Sequence, residues 1–163
     1  MIGSILGFML ELFYRRIMLG KWIKPGVFYG VYLPLYGIGT CICYFVYNLM
    51  IDIMLKTILI VILLTFIELI CGIIFIKYFK IPLWDYQKNK YNYRGLICLK
   101  FSIYWGFLGF VCIKFVFPSV NFEAFEIRKL ILFMYLFYVI FVSDVMYRLF
   151  YLFYHKMFKK VNE

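Results

Sequence analysis

The chain has 163 residues, 66% of them hydrophobic, and a formal net charge of +10. Water-soluble domains are only about 45–50% apolar, so the composition predicts an integral membrane protein and leaves no room for a soluble catalytic domain. The basic residues fall mainly in short connections, where they set topology and meet lipid headgroups, so we expect membrane lipids and not nucleic acid as partners.

Long apolar stretches predict an all-α fold with about five transmembrane helices, because about 20 apolar residues are needed to cross a bilayer. We treat residues 1–163 as a single transmembrane domain. The predicted spans are residues 1–19, 33–53, 57–77, 99–118 and 130–153. The first span is the least typical of a membrane helix, because it carries three charged side chains, Glu11, Arg15 and Arg16.

Basic residues predict the orientation of these spans. Fourteen of the 18 basic residues fall on one side of the five-span arrangement. They are Arg15, Arg16, Lys21, Lys24, Lys77, Lys80, Lys88, Lys90, Arg94, Lys100, Arg148, Lys156, Lys159 and Lys160. The other side has Lys56, Lys114, Arg128 and Lys129, together with Asp52, Glu123 and Glu126. Because the basic side is cytoplasmic, we expect the N-terminus outside, the C-terminus inside, and the connections 20–32 and 78–98 on the cytoplasmic face.

Three acidic residues fall inside the predicted spans and away from their ends, where a charge costs on the order of 2.5–3.5 kcal/mol. Glu11 precedes Arg15 by four residues and Asp144 precedes Arg148 by four, so each pair shares a helical face and has a structural explanation. Glu68 has no basic residue within one turn. Either a hydrogen bond from another helix or a functional polar site explains its presence.

Cysteine and histidine usage gives no indication of a metal site or a cofactor. The five cysteines lie in or beside apolar stretches without a CxxC pair, and His155 is the single histidine, so we expect buried reduced thiols. The cysteines are Cys41, Cys43, Cys71, Cys98 and Cys112. Nucleotide-binding loops and catalytic triads are also absent from the sequence, which predicts that the chain has no ATPase of its own.

Two aromatic segments interrupt the helical pattern. Proline and glycine prevent the first, KWIKPGVFYGVYLPLYGIGT at residues 21–40, from forming one regular helix. Because it is too aromatic for a solvated loop, we expect it to lie in the membrane interface or to tuck back into the protein as a re-entrant turn. The second segment, YFKIPLWDYQKNKYNYRG at residues 78–95, has the same character.

These segments resemble the ABC-transporter type IV (CmpB-like) membrane permease family. GVFYGVYLPLYGIGT is similar to the family signature RGFLYGPYxPIYGxG, and EL, WDY and NYRGLICLKFSIYWGFLG follow the family pattern EYL…WDYS…FNLNGRICLxxSxxWGxxG in the same order. The resemblance extends from about Phe8 to Pro118. The matching positions are Glu11, Gly26, Gly30, Pro34, Tyr36, Gly37, Gly39, Glu68, Trp84, Asp85, Tyr86, Asn92, Gly95, Ser102, Trp105 and Gly106.

Four positions depart from the family pattern. Pro25 and Leu96 stand where the family has arginines, Val31 where it has a proline, and Ile76 where it has a glutamate. Three charged family positions are therefore apolar in this chain. This difference indicates either loss of part of the family's activity or adaptation to a specialised partner.

The acidic residues that remain in the motif predict a functional polar cluster in the cytoplasmic half of the membrane. Its members are Glu11, Glu68, Asp85 and Arg94, with Arg15 or Arg16 as other candidate basic partners.

The resemblance implies a membrane subunit associated with ABC-type transport in the bacterial cytoplasmic membrane. Such a subunit would rely on an ATPase, on another membrane subunit or on a second copy of itself. The small size and the lost charges favour an alternative, a non-transporting accessory or assembly subunit of a larger membrane complex. A third interpretation is a membrane enzyme that uses Asp85 and Glu68 as acid and base on lipid-linked substrates, but no nucleophile or metal set supports it, so we expect no enzymatic activity.

Overall fold

The computed structural model describes residues 1–120 and 127–161, and it gives side chains for all of these except 127–130, 152 and 155–161. The described chain is mostly helical. Its helices are α1 (Ile2–Leu19), α2 (Pro34–Tyr47), α3 (Ile53–Ile74), α4 (Leu99–Val111), α5 (Phe117–Ser119) and α6 (Ile127–Val161). The π-helical turns Phe75–Phe79 and Cys112–Val116 continue α3 and α4, and the strands β1 (Asn92–Tyr93) and β2 (Ile97–Cys98) lie between them. Glu123 and Glu126, which entered the charge argument, lie outside the described residues.

Within the described residues, three helical stretches are long and apolar enough to cross a membrane. They are Ile53–Phe79, Leu99–Ser119 and Ile131–Tyr151. These stretches correspond to the third, fourth and fifth predicted spans. Helices of this length and composition indicate a membrane protein.

The first two predicted spans are not among these three stretches. α1 is a continuous helix of 18 residues, but it carries the three charged residues noted above. α2 has 14 residues, a length of about 21 Å at 1.5 Å per residue, which is shorter than the roughly 30 Å hydrocarbon core. The predicted span reached residue 53, whereas α2 ends at Tyr47, and α3 begins where the Asp52 carboxylate accepts the Met54 amide at 2.9 Å.

Chain contacts divide the protein into two compact units. The first unit is Met1–Gly37 with Phe122–Glu163, and the second is Ile38–Asn121.

In the first unit, the chain after α1 runs back along that helix. The left-handed Gly20 ends α1, with its amide bonded to the Arg16 carbonyl. Further on, the Leu33 amide donates to the Ser4 carbonyl at 3.0 Å. Ser4 and Gly20 are separated by about 24 Å of helix, so the irregular segment 20–33 returns over most of the length of α1. The chain therefore folds back against α1 in this segment.

In the second unit, α3 and α4 pack closely at two glycines. A Cβ at Gly106 would lie 2.6 Å from Val61 Cγ2, and a Cβ at Gly109 would lie 2.5 Å from Ile60 Cγ2. Ile60 is fully buried. Small residues allow this close approach of two helices in a membrane protein.

A two-stranded antiparallel hairpin precedes α4, a feature that the all-α expectation lacked. Its strands pair Asn92 with Cys98 and Tyr93 with Ile97. The turn places Arg94 and Gly95 at φ values of 53° and 71°, and the Leu96 amide donates to the Tyr93 carbonyl at 3.0 Å. Two successive positive φ angles are typical of a tight hairpin turn.

Candidate functional site

Glu68 lies on α3 with only 1% of its surface exposed. The Tyr86 hydroxyl donates to Glu68 Oε1 at 2.8 Å, and the Trp105 indole nitrogen donates to Oε2 at 3.3 Å. One donor comes from the connection after α3 and the other from α4. Both carboxylate oxygens are therefore satisfied by residues from other segments, as burial of a polar group requires.

Aromatic stacking fixes the position of Tyr86. Its ring lies 4.4 Å from the Phe101 ring with an interplanar angle of 18°, and 6.2 Å from the Trp84 ring. Its amide donates to the Gly95 carbonyl at 2.9 Å. The Trp84 indole in turn donates to the Leu96 carbonyl at 2.6 Å. The WDY motif is thus bound to the hairpin and to the start of α4.

A second polar contact joins α3 to α4 three residues before Glu68. The Thr65 hydroxyl donates to the Ser102 hydroxyl at 2.9 Å, and the Ser102 hydroxyl donates to the Cys98 carbonyl at 3.3 Å. These bonds add to the glycine contacts and favour a fixed register between the two helices.

Asp85 and Asn92 shape the connection itself. Asp85 Oδ1 accepts the Gln87 amide at 2.9 Å, which forms a local turn. Asn92 Oδ1 accepts the Gly95 amide at 3.0 Å. Asp85 is exposed, whereas Gly95 is buried, and a Cβ at Gly95 would lie 3.0 Å from Asp85 Oδ1.

In the first unit, the Asp144 carboxylate binds the irregular segment after α1. Tyr29 donates its amide to Oδ1 at 3.1 Å, and Gly30 donates its amide to Oδ2 at 2.7 Å. The Tyr32 hydroxyl also donates to Oδ2. To reach the carboxylate, Tyr32 folds over Gly30, where a Cβ would lie 1.9 Å from Tyr32 Cε1. Burial and the adjacent carboxylate raise the pKa of Tyr32, so its hydroxyl stays a proton donor.

The two acid–arginine pairs expected from the sequence have different outcomes. Glu11 pairs with Arg15 at 3.0 Å, as predicted, and its other oxygen accepts the Tyr36 hydroxyl at 3.4 Å. Asp144 instead binds the segment just described, and no ion pair joins it to Arg148 among the side chains that the structure gives. The sequence interpretation missed this partner because it considered only residues on the same helix.

The four members of the predicted polar cluster each have their own described partners. Glu11 belongs to the first unit and Glu68, Asp85 and Arg94 to the second. The guanidinium of Arg94 lies 5.4 Å from the centroid of the Tyr93 ring. The motif residues Gly26, Gly30, Pro34, Tyr36 and Gly37 lie in the first unit, and Trp84, Tyr86, Asn92, Gly95, Ser102, Trp105 and Gly106 lie in the second. Across the described residues, no group of three or more His, Cys, Asp or Glu side chains could hold a metal ion.

Comparison with protein families identifies the family of the chain. A family model described as "Putative ABC-transporter type IV" matches residues 1–149. The chain belongs to this family. The match includes parts of both units and ends within α6, so the ABC-transporter type IV pattern covers more of the chain than the motifs alone. Comparisons with curated proteins and with solved structures found no match.

Proposed function

We propose that the chain is the membrane subunit of an ABC-type transporter and relies on a separate ATPase. The family match supports an ABC-transporter-related protein, and three helices are long and apolar enough to cross a membrane. The sequence contains no nucleotide-binding loop. In this proposal a partner subunit therefore hydrolyses ATP.

The proposal includes a multi-pass arrangement in the bacterial cytoplasmic membrane with the N-terminus outside and the C-terminus inside. The stretches Ile53–Phe79, Leu99–Ser119 and Ile131–Tyr151 make three of the five crossings. α1 makes the first crossing, and the second lies within residues 33–53, which include α2. The excess of basic residues in 78–98 favours a cytoplasmic location for this connection.

The observation that carries the proposal is the bond between Tyr86 and Glu68. It joins the connection after α3 to the interior of that membrane helix at 2.8 Å. If the connection moves, either α3 follows or the buried carboxylate loses a donor, which costs about 0.6–1.7 kcal/mol in a membrane protein. A partner bound to the connection can therefore transmit its movement to the helices.

The exposed side of the same connection has the chemistry of a docking surface for an acidic partner. Lys88, Lys90 and Arg94 are exposed, and Tyr91 and Tyr93 are 81% and 52% exposed. Exposed cations interleaved with aromatic rings favour binding to a surface of opposite charge. We place the ATPase at this surface.

The experiment is purification of the tagged chain from native membranes in mild detergent, followed by measurement of ATP hydrolysis and identification of bound subunits. We expect a nucleotide-binding subunit and ATPase activity with the wild-type chain. Reversing the charges of Lys88, Lys90 and Arg94 to glutamate removes both. The matched control reverses Lys56 and Lys114, which lie on the predicted opposite side, and keeps both. A wild-type chain that carries no nucleotide-binding subunit overturns the proposal.

One observation favours the alternative of an accessory or assembly subunit without a transport path. Leu96, at a position where the family has arginine, is buried and packs against Gly72, where a Cβ would lie 2.9 Å from Leu96 Cδ2. That position contributes packing instead of a charge. Two experiments distinguish an accessory subunit from a transport subunit. Deleting an accessory subunit prevents assembly of its complex. Removing it from the purified, assembled complex leaves the transport rate unchanged.

We further propose that the chain is not an enzyme. Of the acid–base pair considered above, Glu68 is almost inaccessible at 1% exposure and Asp85 is engaged in its own turn. Turnover of a lipid-linked substrate by the purified chain, with loss of turnover in Asp85→Asn, would contradict this proposal.

A further inference from the structure

The ring of Tyr29 lies between two cationic side chains in the first unit. Lys24 Nζ is 5.9 Å from the ring centroid, and the Arg148 guanidinium carbon is 5.6 Å from it. Lys24 also donates to the Tyr29 carbonyl. One exposed aromatic ring therefore contacts both an ammonium and a guanidinium, and each cation is attracted by the electron-rich face of that ring.

Arg148 has hydrogen-bonding capacity that the described chain does not use. Its Nε atom is buried without a hydrogen-bond partner. The acid one turn earlier, Asp144, already accepts bonds from Tyr29, Gly30 and Tyr32. A buried guanidinium nitrogen normally has an acceptor, and none of the described residues supplies one to this atom.

We propose that Lys24 and Arg148 bind the phosphate of an anionic phospholipid headgroup. Arg148 lies near the end of the apolar stretch Ile131–Tyr151, 5.3 Å from the centroid of the Tyr151 ring and next in sequence to the exposed Tyr147. Aromatic side chains at a helix end are typical of the membrane interface, which is the depth of lipid phosphates. Arginine offers a planar set of donors that suits a phosphate, and lysine adds a second positive charge. The position at the end of a membrane helix favours a lipid over a soluble anion.

The test compares lipid retention in matched variants. The purified chain is placed in nanodiscs of phosphatidylcholine mixed with phosphatidylglycerol, extracted, and analysed by native mass spectrometry for bound lipid. We expect Arg148→Gln and Lys24→Gln each to lower the retention of phosphatidylglycerol by about fivefold, as for the loss of one basic contact. The conservative Arg148→Lys variant keeps part of it.

Lys56→Gln is the control for a lysine on an aromatic ring. Lys56 Nζ donates to the Tyr47 carbonyl at 2.6 Å and lies 5.6 Å from the centroid of the Tyr47 ring. Lys24 makes the same two contacts with Tyr29, but no arginine is described on the Tyr47 ring. We expect this variant to retain phosphatidylglycerol at the wild-type level. Exposed Lys24 gives an informative variant even where a change at Arg148 prevents folding.

Two results would overturn the proposal. One is equal phosphatidylglycerol retention in the wild type, Lys24→Gln and Arg148→Lys. The other is full displacement of the lipid by millimolar inorganic phosphate, which would identify a site for the free anion. The measurement does not depend on ATP hydrolysis, so it can fail or succeed independently of the transport proposal.

Discussion

Tyr86 and Glu68 form a buried hydrogen bond of 2.8 Å between a connection and a membrane helix. We expect Tyr86→Phe to lower the free energy of unfolding by about 0.6–1.7 kcal/mol, the range for polar contacts within membrane proteins, because the carboxylate stays buried and loses a donor. Thermal unfolding in detergent measures the effect. Tyr91→Phe removes the same hydroxyl from a ring that is 81% exposed and should leave the melting temperature unchanged. Equal melting temperatures for the two variants would count against a structural role for the bond.

The Asp144 side chain binds backbone amides of the irregular segment after α1. Asp144→Ala leaves the amides of Tyr29 and Gly30 without their acceptor. We expect amide hydrogen exchange at these two residues to rise about 2- to 13-fold, which corresponds to the net 0.5–1.5 kcal/mol of a typical hydrogen bond. Ser143→Ala is the control, because its hydroxyl bonds only the Val139 carbonyl on its own helix among the contacts described. Unchanged exchange at Tyr29 and Gly30 in Asp144→Ala would show that the segment is held by other contacts.

Local rules predicted the parts of the fold whose causes lie close together in the sequence. The third, fourth and fifth spans follow from apolar length alone, and the Glu11–Arg15 pair follows from helical spacing. The end of α2 at Tyr47 did not, because the apolar stretch continues past it as far as Asp52, which caps the next helix. The short hairpin was missed because its two strands have only two residues each, too few for an alternating pattern.

In the candidate site, too, local sequence rules did not predict the partners of the acidic residues, because these partners are distant in sequence. The sequence marked Glu68 as unusual, yet its donors are 18 and 37 residues away, on Tyr86 and Trp105. Asp144 finds its partners more than 110 residues away in Tyr29 and Gly30. Distances of this kind follow from the tertiary fold and not from helical periodicity. The one available signal was the irregular segment itself, whose backbone amides must have acceptors within the protein.

Because α3 and α4 pack closely, we expect Val61→Ala to restore part of the stability that Gly106→Ala removes. Gly106→Ala places a Cβ 2.6 Å from Val61 Cγ2, and such overpacking costs about 1–3 kcal/mol. Adding Val61→Ala removes the clashing methyl group, so the double variant should be more stable than Gly106→Ala alone. Gly39→Ala is a control, because its nearest neighbour would be Leu64 at an ordinary 3.5 Å. Additive losses of stability in the double variant would contradict the contact.

Gly95 and Gly20 allow backbone strain to be separated from crowding. Both residues have left-handed φ angles, 71° and 69°, so alanine at either position costs about 1–2 kcal/mol in backbone conformation. At Gly20 a Cβ meets nothing within 4 Å, whereas at Gly95 it would lie 2.8 Å from Gln87 Cγ and 3.0 Å from Asp85 Oδ1. Gly95→Ala should therefore lower the melting temperature more than Gly20→Ala, and adding Gln87→Ala should recover part of the difference. If the two glycine variants unfold at the same temperature, the tight approach of the WDY motif to the hairpin turn does not contribute to stability.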